Sequence, residues 1–213
     1  MSSLLKIDGM SVSFATPRGN LRAVNDVTIE LLKGESLGVV GESGSGKTVL
    51  SRATMGLLPS TATRTGTITY NGQVISELPK DEVRELWGTG MAMIFQDPMT
   101  ALNPVRRIGS QLTESLTVRL GMDKKAAKLK AVELLKRVRI PDPESMLRKF
   151  PYQLSGGMRQ RIMIAIAVSC EPELLFADEP TTALDVTVQA QVLDLITELR
   201  KEFNMAMILV THD

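Results

Sequence analysis

Ser36-Leu-Gly-Val-Val-Gly41-Glu-Ser-Gly-Ser-Gly-Lys47-Thr48 is the stretch on which the fold turns. Ser36 to Val40 reads as a short buried strand, and Lys47 through Leu58 reads as an amphipathic helix. Between them, Gly41, Gly44 and Gly46 let the backbone wrap close to an anion, with successive N–H groups pointing inward. The start of the helix adds partial positive charge. The loop fits G-x-x-x-x-G-K-[ST] in its proper strand–loop–helix setting, which a flexible Gly/Ser linker would lack. The expected phosphate cradle is therefore Gly41, Glu42, Ser43, Gly44, Ser45, Gly46, Lys47 and Thr48. Lys47 would reach the β- and γ-phosphates, and the Thr48 hydroxyl would ligate Mg²⁺.

Outward from this loop the chain is organised around it. Leu4–Phe14 and Val24–Leu32 alternate apolar and polar residues, as half-buried strands do. Gly66-Thr-Ile-Thr-Tyr-Asn-Gly72 reads as a strand closed by an Asn-Gly turn. Met91–Phe95, Leu174–Ala177 and Met207–Val210 are short apolar runs of the buried parallel type. From Val105 to Cys170 the spacing is helical. Lys124–Arg137 carries an apolar stripe among lysines, and Pro141, Pro143 and Pro151 break the chain before a helix near Gly156. Asp185 is the expected N-cap of a last helix, with Val188, Val192, Leu195, Ile196, Leu199 and Phe203 on one face. The sum is α/β: a parallel core, an N-terminal antiparallel β portion and an inserted helical lobe.

Composition bounds the function. The 213 residues fit one domain carrying an inserted subdomain. With 25 Lys+Arg against 24 Asp+Glu, no global basic field recruits nucleic acid. The lysine run 124–130 reads as a solvated helix face. A single cysteine, Cys170, excludes an intramolecular disulfide or a zinc cluster and reads as a small buried residue. No signal peptide is visible at the start. The most apolar run, Ile162–Cys170, is about half of a membrane span, so a membrane role would come through a partner.

Two further segments carry chemistry. Glu173-Leu-Leu-Phe-Ala-Asp178-Glu179 is a buried strand ending in adjacent carboxylates. Asp178 would meet Mg²⁺, directly or through water, and Glu179 would activate a water against the γ-phosphate. Leu154-Ser155-Gly156-Gly157-Met158-Arg159-Gln160-Arg161 opens a long helix with a second anion-type start. One nucleotide does not need two such starts on one subunit. A head-to-tail pair does, because Ser155-Gly-Gly of each subunit can close over the ATP of the other.

At this point the sequence resembles the ABC ATPase family, whose signature is Leu-Ser-Gly-Gly-x, over nearly the whole chain. The resemblance implies a P-loop NTPase of the ABC ATPase fold that hydrolyses ATP with Mg²⁺. It implies a nucleotide-binding core with β subdomain over 1–96 and 171–213, and a helical subdomain over 97–170. Gln96 resembles the Q-loop glutamine that senses the γ-phosphate and Mg²⁺, and Ala183-Leu184-Asp185 resembles the D-loop. His212, after Met207–Val210 and Thr211, resembles the switch histidine, and Phe14 sits where the family stacks an aromatic on adenine. Glu179, His212, Gln96 and Lys47 are thereby implied as catalytic.

Phe95-Gln-Asp-Pro-Met-Thr-Ala-Leu-Asn-Pro104 and Asp178-Glu-Pro-Thr-Thr-Ala-Leu-Asp-Val-Thr-Val-Gln189 resemble the dipeptide/oligopeptide importer branch, which includes nickel and glutathione importers. Tyr152 departs from that branch, which often carries His there. The resemblance implies a second ATPase subunit in a homo- or heterodimer, transmembrane permease subunits, and an extracytoplasmic substrate-binding protein acting indirectly. It implies a peripheral location on the cytoplasmic face of the cell membrane. The alternatives are a soluble ABC ATPase of DNA repair or translation, and a non-enzymatic P-loop module. The first usually carries coiled coils, zinc modules or a tandem ATPase, and the second would lack the base or the signature. The family normally continues past the switch histidine, so a C-terminally truncated domain is expected.

Overall fold

The computed structural model describes residues 3–17, 19–182 and 184–212, apart from the side chain of Val186. The chain divides into two units, Met1–Trp87 with Ala206–Asp213, and Gly88–Met205.

In the first unit, β1 (Ser3–Thr16), β2 (Gly19–Leu32), β4 (Ala62–Tyr70) and β5 (Gln73–Val74) form an antiparallel sheet in the order β2-β1-β4-β5. Along β1, Leu5, Ile7, Met10 and Val12 are fully buried while Lys6 and Asp8 face water. The alternation skips a step at Gly9, where the β1–β2 register shifts between Ile7 and Met10. That bulge returns Met10 to the inner face instead of turning the apolar set outward. Ile7 lies opposite Ile29 on one side and Ile68 on the other. The expected Asn71-Gly72 turn joins β4 to β5 in a two-residue hairpin.

The same unit contains β3 (Ser36–Val40), paired in parallel with the last strand β8 (Ala206–Thr211) from Ser36↔Met207 to Val40↔Thr211. The expectation of a buried β3 is corrected. Among the described residues β3 has a strand neighbour on one side only, and Val40 is 67% exposed. Helix α1 (Lys47–Thr54) also ends sooner than the apolar spacing suggests. Gly56 takes φ 70°, its N–H donates to the Ala53 carbonyl and that of Leu57 to the Arg52 carbonyl. Such a left-handed cap stops a helix whatever the side chains beyond it favour. A short α2 (Lys80–Glu85) completes the unit.

In the second unit, β6 (Met91–Ile94) and β7 (Leu174–Asp178) pair in parallel, Met91↔Leu174 to Ile94↔Ala177, and every residue of both is buried. The remaining elements are helical: α3 (Pro98–Ala101), α4 (Ile108–Leu120), α5 (Lys124–Arg137), α6 (Pro143–Met146), α7 (Gly156–Ala167) and α8 (Val186–Glu202). Ile108, Leu112 and Leu116 of α4 recur every fourth residue and pack on the α5 stripe Ala127, Ala131, Leu134 and Leu135, all without solvent exposure. Each such leucine contributes about 1.5–3 kcal/mol of burial. Leu129 falls off that stripe and is 65% exposed. Among the described residues no strand lies within 97–170. Cys170 is buried, and burial pushes its thiol above the usual range, as suits a packing residue.

Candidate functional site

In the first unit, β3 and β8 run parallel, and Val40 stands beside Thr211. The two residues that follow, Gly41 and His212, therefore leave the same end of the same strand pair. This brings the expected phosphate loop and the expected switch histidine to one edge, as parallel α/β proteins place their sites. His212 is exposed there.

The loop from Gly41 is held by its own lysine. Lys47 is only 7% exposed, and its ammonium donates to the Gly41 carbonyl (2.6 Å) and the Glu42 carbonyl (2.8 Å). Ser45 N–H closes a turn onto the Glu42 carbonyl at 3.2 Å. Gly46 is the N-cap of α1 at φ 94°, and no side chain caps the helix. A helix start that no side chain caps is the kind of place where an anion binds. Gly46 also seats the loop: a Cβ there would lie 2.1 Å from the Ala23 carbonyl oxygen on β2. Phe14 lies on β1 two residues beyond Val12, which pairs with Val24 of β2, and it is half-buried.

In the second unit the site forms at the exit of β7. Asp178, the strand's last residue, is 1% exposed, and its Oδ2 is shut off from water. Glu179 follows at φ 45°, a left-handed conformation that costs an ordinary residue ~1–2 kcal/mol. Strain of this kind persists where neighbours over-determine it. Here Gln96 Nε2 donates to Glu179 Oε2 at 2.9 Å and Thr182 Oγ1 donates to the same oxygen at 3.0 Å. Gln96 comes from the end of β6, so strand pairing sets the distance.

Ser155 is the N-cap of α7, its Oγ accepting from Met158 N–H at 3.4 Å. The glycines behind it are packing positions too. A Cβ on Gly157 would approach Val188 Cγ1 to 3.3 Å, so the start of α7 lies against the start of α8. Asp185 occupies the N-cap position of α8, but its side chain makes no capping hydrogen bond and is exposed. The backbone carbonyl of Asp185 accepts from Val188 and Gln189 instead. Of the expected D-loop, Ala183 lies outside the described residues.

Two contributors escape a linear reading. Thr182 is a hydroxyl three residues past the acid, a spacing that lets the side chain fold back on it. Gln160 is 1% exposed in the middle of α7, and its Nε2 donates to the buried Pro180 carbonyl at 2.6 Å. It ties the helix that begins at Ser155 to the turn carrying Glu179. Gln160→Leu strands that carbonyl and is expected to cost about 1–3 kcal/mol, read as a lower denaturation midpoint at unchanged m-value.

Within the second unit, the Asp178 carboxylate and the Gln96 amide oxygen are hard oxygens of the kind Mg²⁺ takes, as is the Thr48 hydroxyl in the first. Among the described residues no group of three or more His, Cys, Asp or Glu gathers to hold a metal. The ion would then complete its shell with waters and substrate phosphates, as Mg²⁺ commonly does.

The ABC transporter family pattern matches residues 24–182, from β2 through the turn at Thr182. The chain belongs to the ABC transporter family. This ABC chain is 50% identical over 210 residues to the oligopeptide transport ATP-binding protein OppD of Salmonella typhimurium, covering 99% of the chain and 63% of that protein. It is 48% identical over 215 residues to the dipeptide transport ATP-binding protein DppD of Bacillus subtilis, covering 100% of the chain and 64% of that protein. The chain thus spans a little under two thirds of those relatives. Among solved structures, a dimer of the ATP-binding cassette MJ0796 in a post-hydrolysis state bound to ADP and Pi aligns with TM-score 0.87 and 25% identity, over 99% of this chain and 88% of that one. The fold is that of an ABC ATPase cassette: parallel strands, an antiparallel β subdomain and helices.

Proposed function

We propose that the full-length protein is the ATP-hydrolysing subunit of an importer for di- or oligopeptides, working as one of a pair. The observation that carries the hydrolytic part is the Glu179 carboxylate, gripped by Gln96 and Thr182 beside buried Asp178. The names of OppD and DppD support the peptide substrate. The dimeric cassette supports the pair. Permease partners, a substrate-binding protein and a peripheral position on the cytoplasmic face belong to the same reading. Among the described residues no helix is long and apolar enough to cross a membrane.

The residues of this chain divide the work. The N–H groups of 41–48 and the Lys47 ammonium hold the phosphates, and Phe14 stacks on adenine. Water adds to the γ-phosphorus as its bond to the β,γ-bridging oxygen breaks, and Glu179 takes the proton of that water. Thr48, Asp178 and Gln96 would hold Mg²⁺, which neutralises charge on the phosphate oxygens. His212 contacts the γ-phosphate from the edge it shares with Gly41. Ser155, Gly156 and Gly157 of one subunit cover the nucleotide held by Lys47 of the other, with Asp185 at the pair's seam. Loss of the γ-phosphate removes the bridging charge, and the pair opens. Residues 97–170 serve as the helical subdomain set into the core of 1–96 and 171–213, a division supported by the absence of strands from 97–170 among the described residues.

The test is a tagged full-length protein expressed in its own cell and extracted in mild detergent. A polytopic membrane protein and a peptide-binding protein in the same complex, with Mg·ATP hydrolysis, are the expected result. Nucleic acid in their place would overturn transport in favour of a repair or translation ATPase.

A further inference from the structure

A cavity of about 440 Å³ lies within the first unit, bounded by the last turn of α1, β4, the segment after β5, and α2. It stands apart from the loop of Gly41–Thr48, which contributes none of its lining. Leu58, Ile75, Leu78 and Val83 make its walls apolar. Two cations, Arg64 and Lys80, also line it, and no carboxylate is among the described lining residues.

Arg64 is the unusual member. Its Nη1 donates to the Ala53 carbonyl (3.2 Å) and its Nη2 to the Ser76 carbonyl (2.6 Å), both neutral acceptors. Among the described residues it has no ion pair. Burial pushes its pKa down, the direction expected when a cation is drawn from water without a counter-charge. The Ala53 carbonyl belongs to the C-terminal turn of α1, which offers only a partial negative charge. The two bonds also fix the plane of the guanidinium, so the fork is set in advance for a planar anion. A volume of this size is in the range of small-ligand pockets, and apolar walls with few convergent polar groups are their usual make-up.

We propose that this cavity is a second ligand site, taking a small amphipathic carboxylate whose apolar body fills the space between Leu58, Ile75, Leu78 and Val83. Its carboxylate pairs with Arg64, and Lys80 stands exposed at the lining as a second cation. A phosphate fits less well, since a dianion among apolar walls gives up more hydration than a monoanion, and the second cation, Lys80, is exposed. The site also touches the nucleotide loop through rigid structure. Ala53 and Thr54 line the cavity and end the helix that Lys47 and Thr48 begin, about 10 Å away by helical rise. A ligand that shifts this helix changes nucleotide affinity, and by linkage the nucleotide changes the ligand's affinity equally.

The probe is 3-phenylpropionate, titrated calorimetrically into the full-length protein, with the uncharged 3-phenylpropionamide as its partner. Saturable one-to-one binding of the acid, at least about tenfold tighter than the amide, is the expected result. Lys80→Glu, an exposed change that leaves the fold intact, should weaken the acid severalfold and leave the amide unaffected. Arg64→Gln should abolish the difference between the two where the variant keeps its native circular dichroism. ATP affinity should shift on adding the acid to the wild type and shift less in Lys80→Glu. Absence of binding, equal binding of acid and amide, or displacement of the acid by equimolar inorganic phosphate would each overturn the proposal. Equal acid affinity in wild type and Lys80→Glu would do so as well.

Discussion

Glu179→Gln is expected to leave ATP binding intact and to lower the hydrolysis rate by about 10²–10⁴. The substitution is nearly isosteric and leaves the phosphate loop around Lys47 untouched. What it removes is the basicity of the one oxygen that both Gln96 and Thr182 address. An amide cannot take the proton of the attacking water. The backbone at φ 45° is asked of Gln as it is of Glu, so no new strain enters. With hydrolysis stalled and nucleotide bound, the pair of subunits should persist in its closed form. Single-turnover phosphate release and sedimentation with Mg·ATP read the two effects separately. Turnover at the wild-type rate would remove Glu179 from the role of base. Thr182→Ala is the graded control, since it deletes one of the two donors and keeps the carboxylate.

Much of this arrangement is legible in the order of residues alone. The loop at Gly41–Thr48 declares itself because its chemistry is local: glycines, lysine and threonine must be contiguous to wrap a phosphate. β1 is legible in part, since Leu5 and Ile7 alternate with polar neighbours, but the skip at Gly9 that carries Met10 and Val12 to the same face appears only in the strand pairing. The departures have tertiary causes. β3 has the apolar sequence of a buried strand, but exposure is set by how many strands flank it, and among the described residues it has one strand neighbour. The apolar spacing after Thr54 continues, yet Gly56 ends the helix, because a left-handed cap outweighs side-chain periodicity. Asp185 sits at an N-cap position without capping, an outcome that depends on where its carboxylate turns. The contacts of Gln160, Thr182 and Arg64 are not written in any local spacing of apolar and polar residues. The partners of Gln160 and Arg64, namely Pro180, Ala53 and Ser76, come within reach only when helices and strands fold back, whereas Thr182 reaches Glu179 across one turn. The lysine run at 124–130 is likewise partly recruited, with Lys130 bonded to Glu171 at 3.1 Å.

Gly46→Ala is expected to abolish tight nucleotide binding, and the neighbouring Gly44→Ala is the measure against which to read it. Both positions have positive φ, 94° and 82°, so alanine at either carries a backbone penalty of ~1–2 kcal/mol. The surroundings separate them. A Cβ at Gly44 would meet nothing within 4 Å, whereas at Gly46 it would lie 2.1 Å from the Ala23 carbonyl oxygen and 3.2 Å from the carbonyl carbon. Those atoms are backbone of β2, held between Arg22 and Val24, which pair with Ser13 and Val12 of β1, and cannot swing aside as a side chain would. The loop itself must lift off the strand, and it takes Lys47 and the first N–H groups of α1 with it. Charge-assisted hydrogen bonds are worth about 1.5–3 kcal/mol each, so losing two of them weakens ATP by about 10²–10⁴. Gly44→Ala should lose about tenfold or less. A fluorescent-nucleotide titration of both variants measures the contrast, with circular dichroism to confirm that each is folded. Similar affinities in the two variants would mean that β2 does not hold the loop, and that its shape is kept by the Lys47 bonds to Gly41 and Glu42 alone.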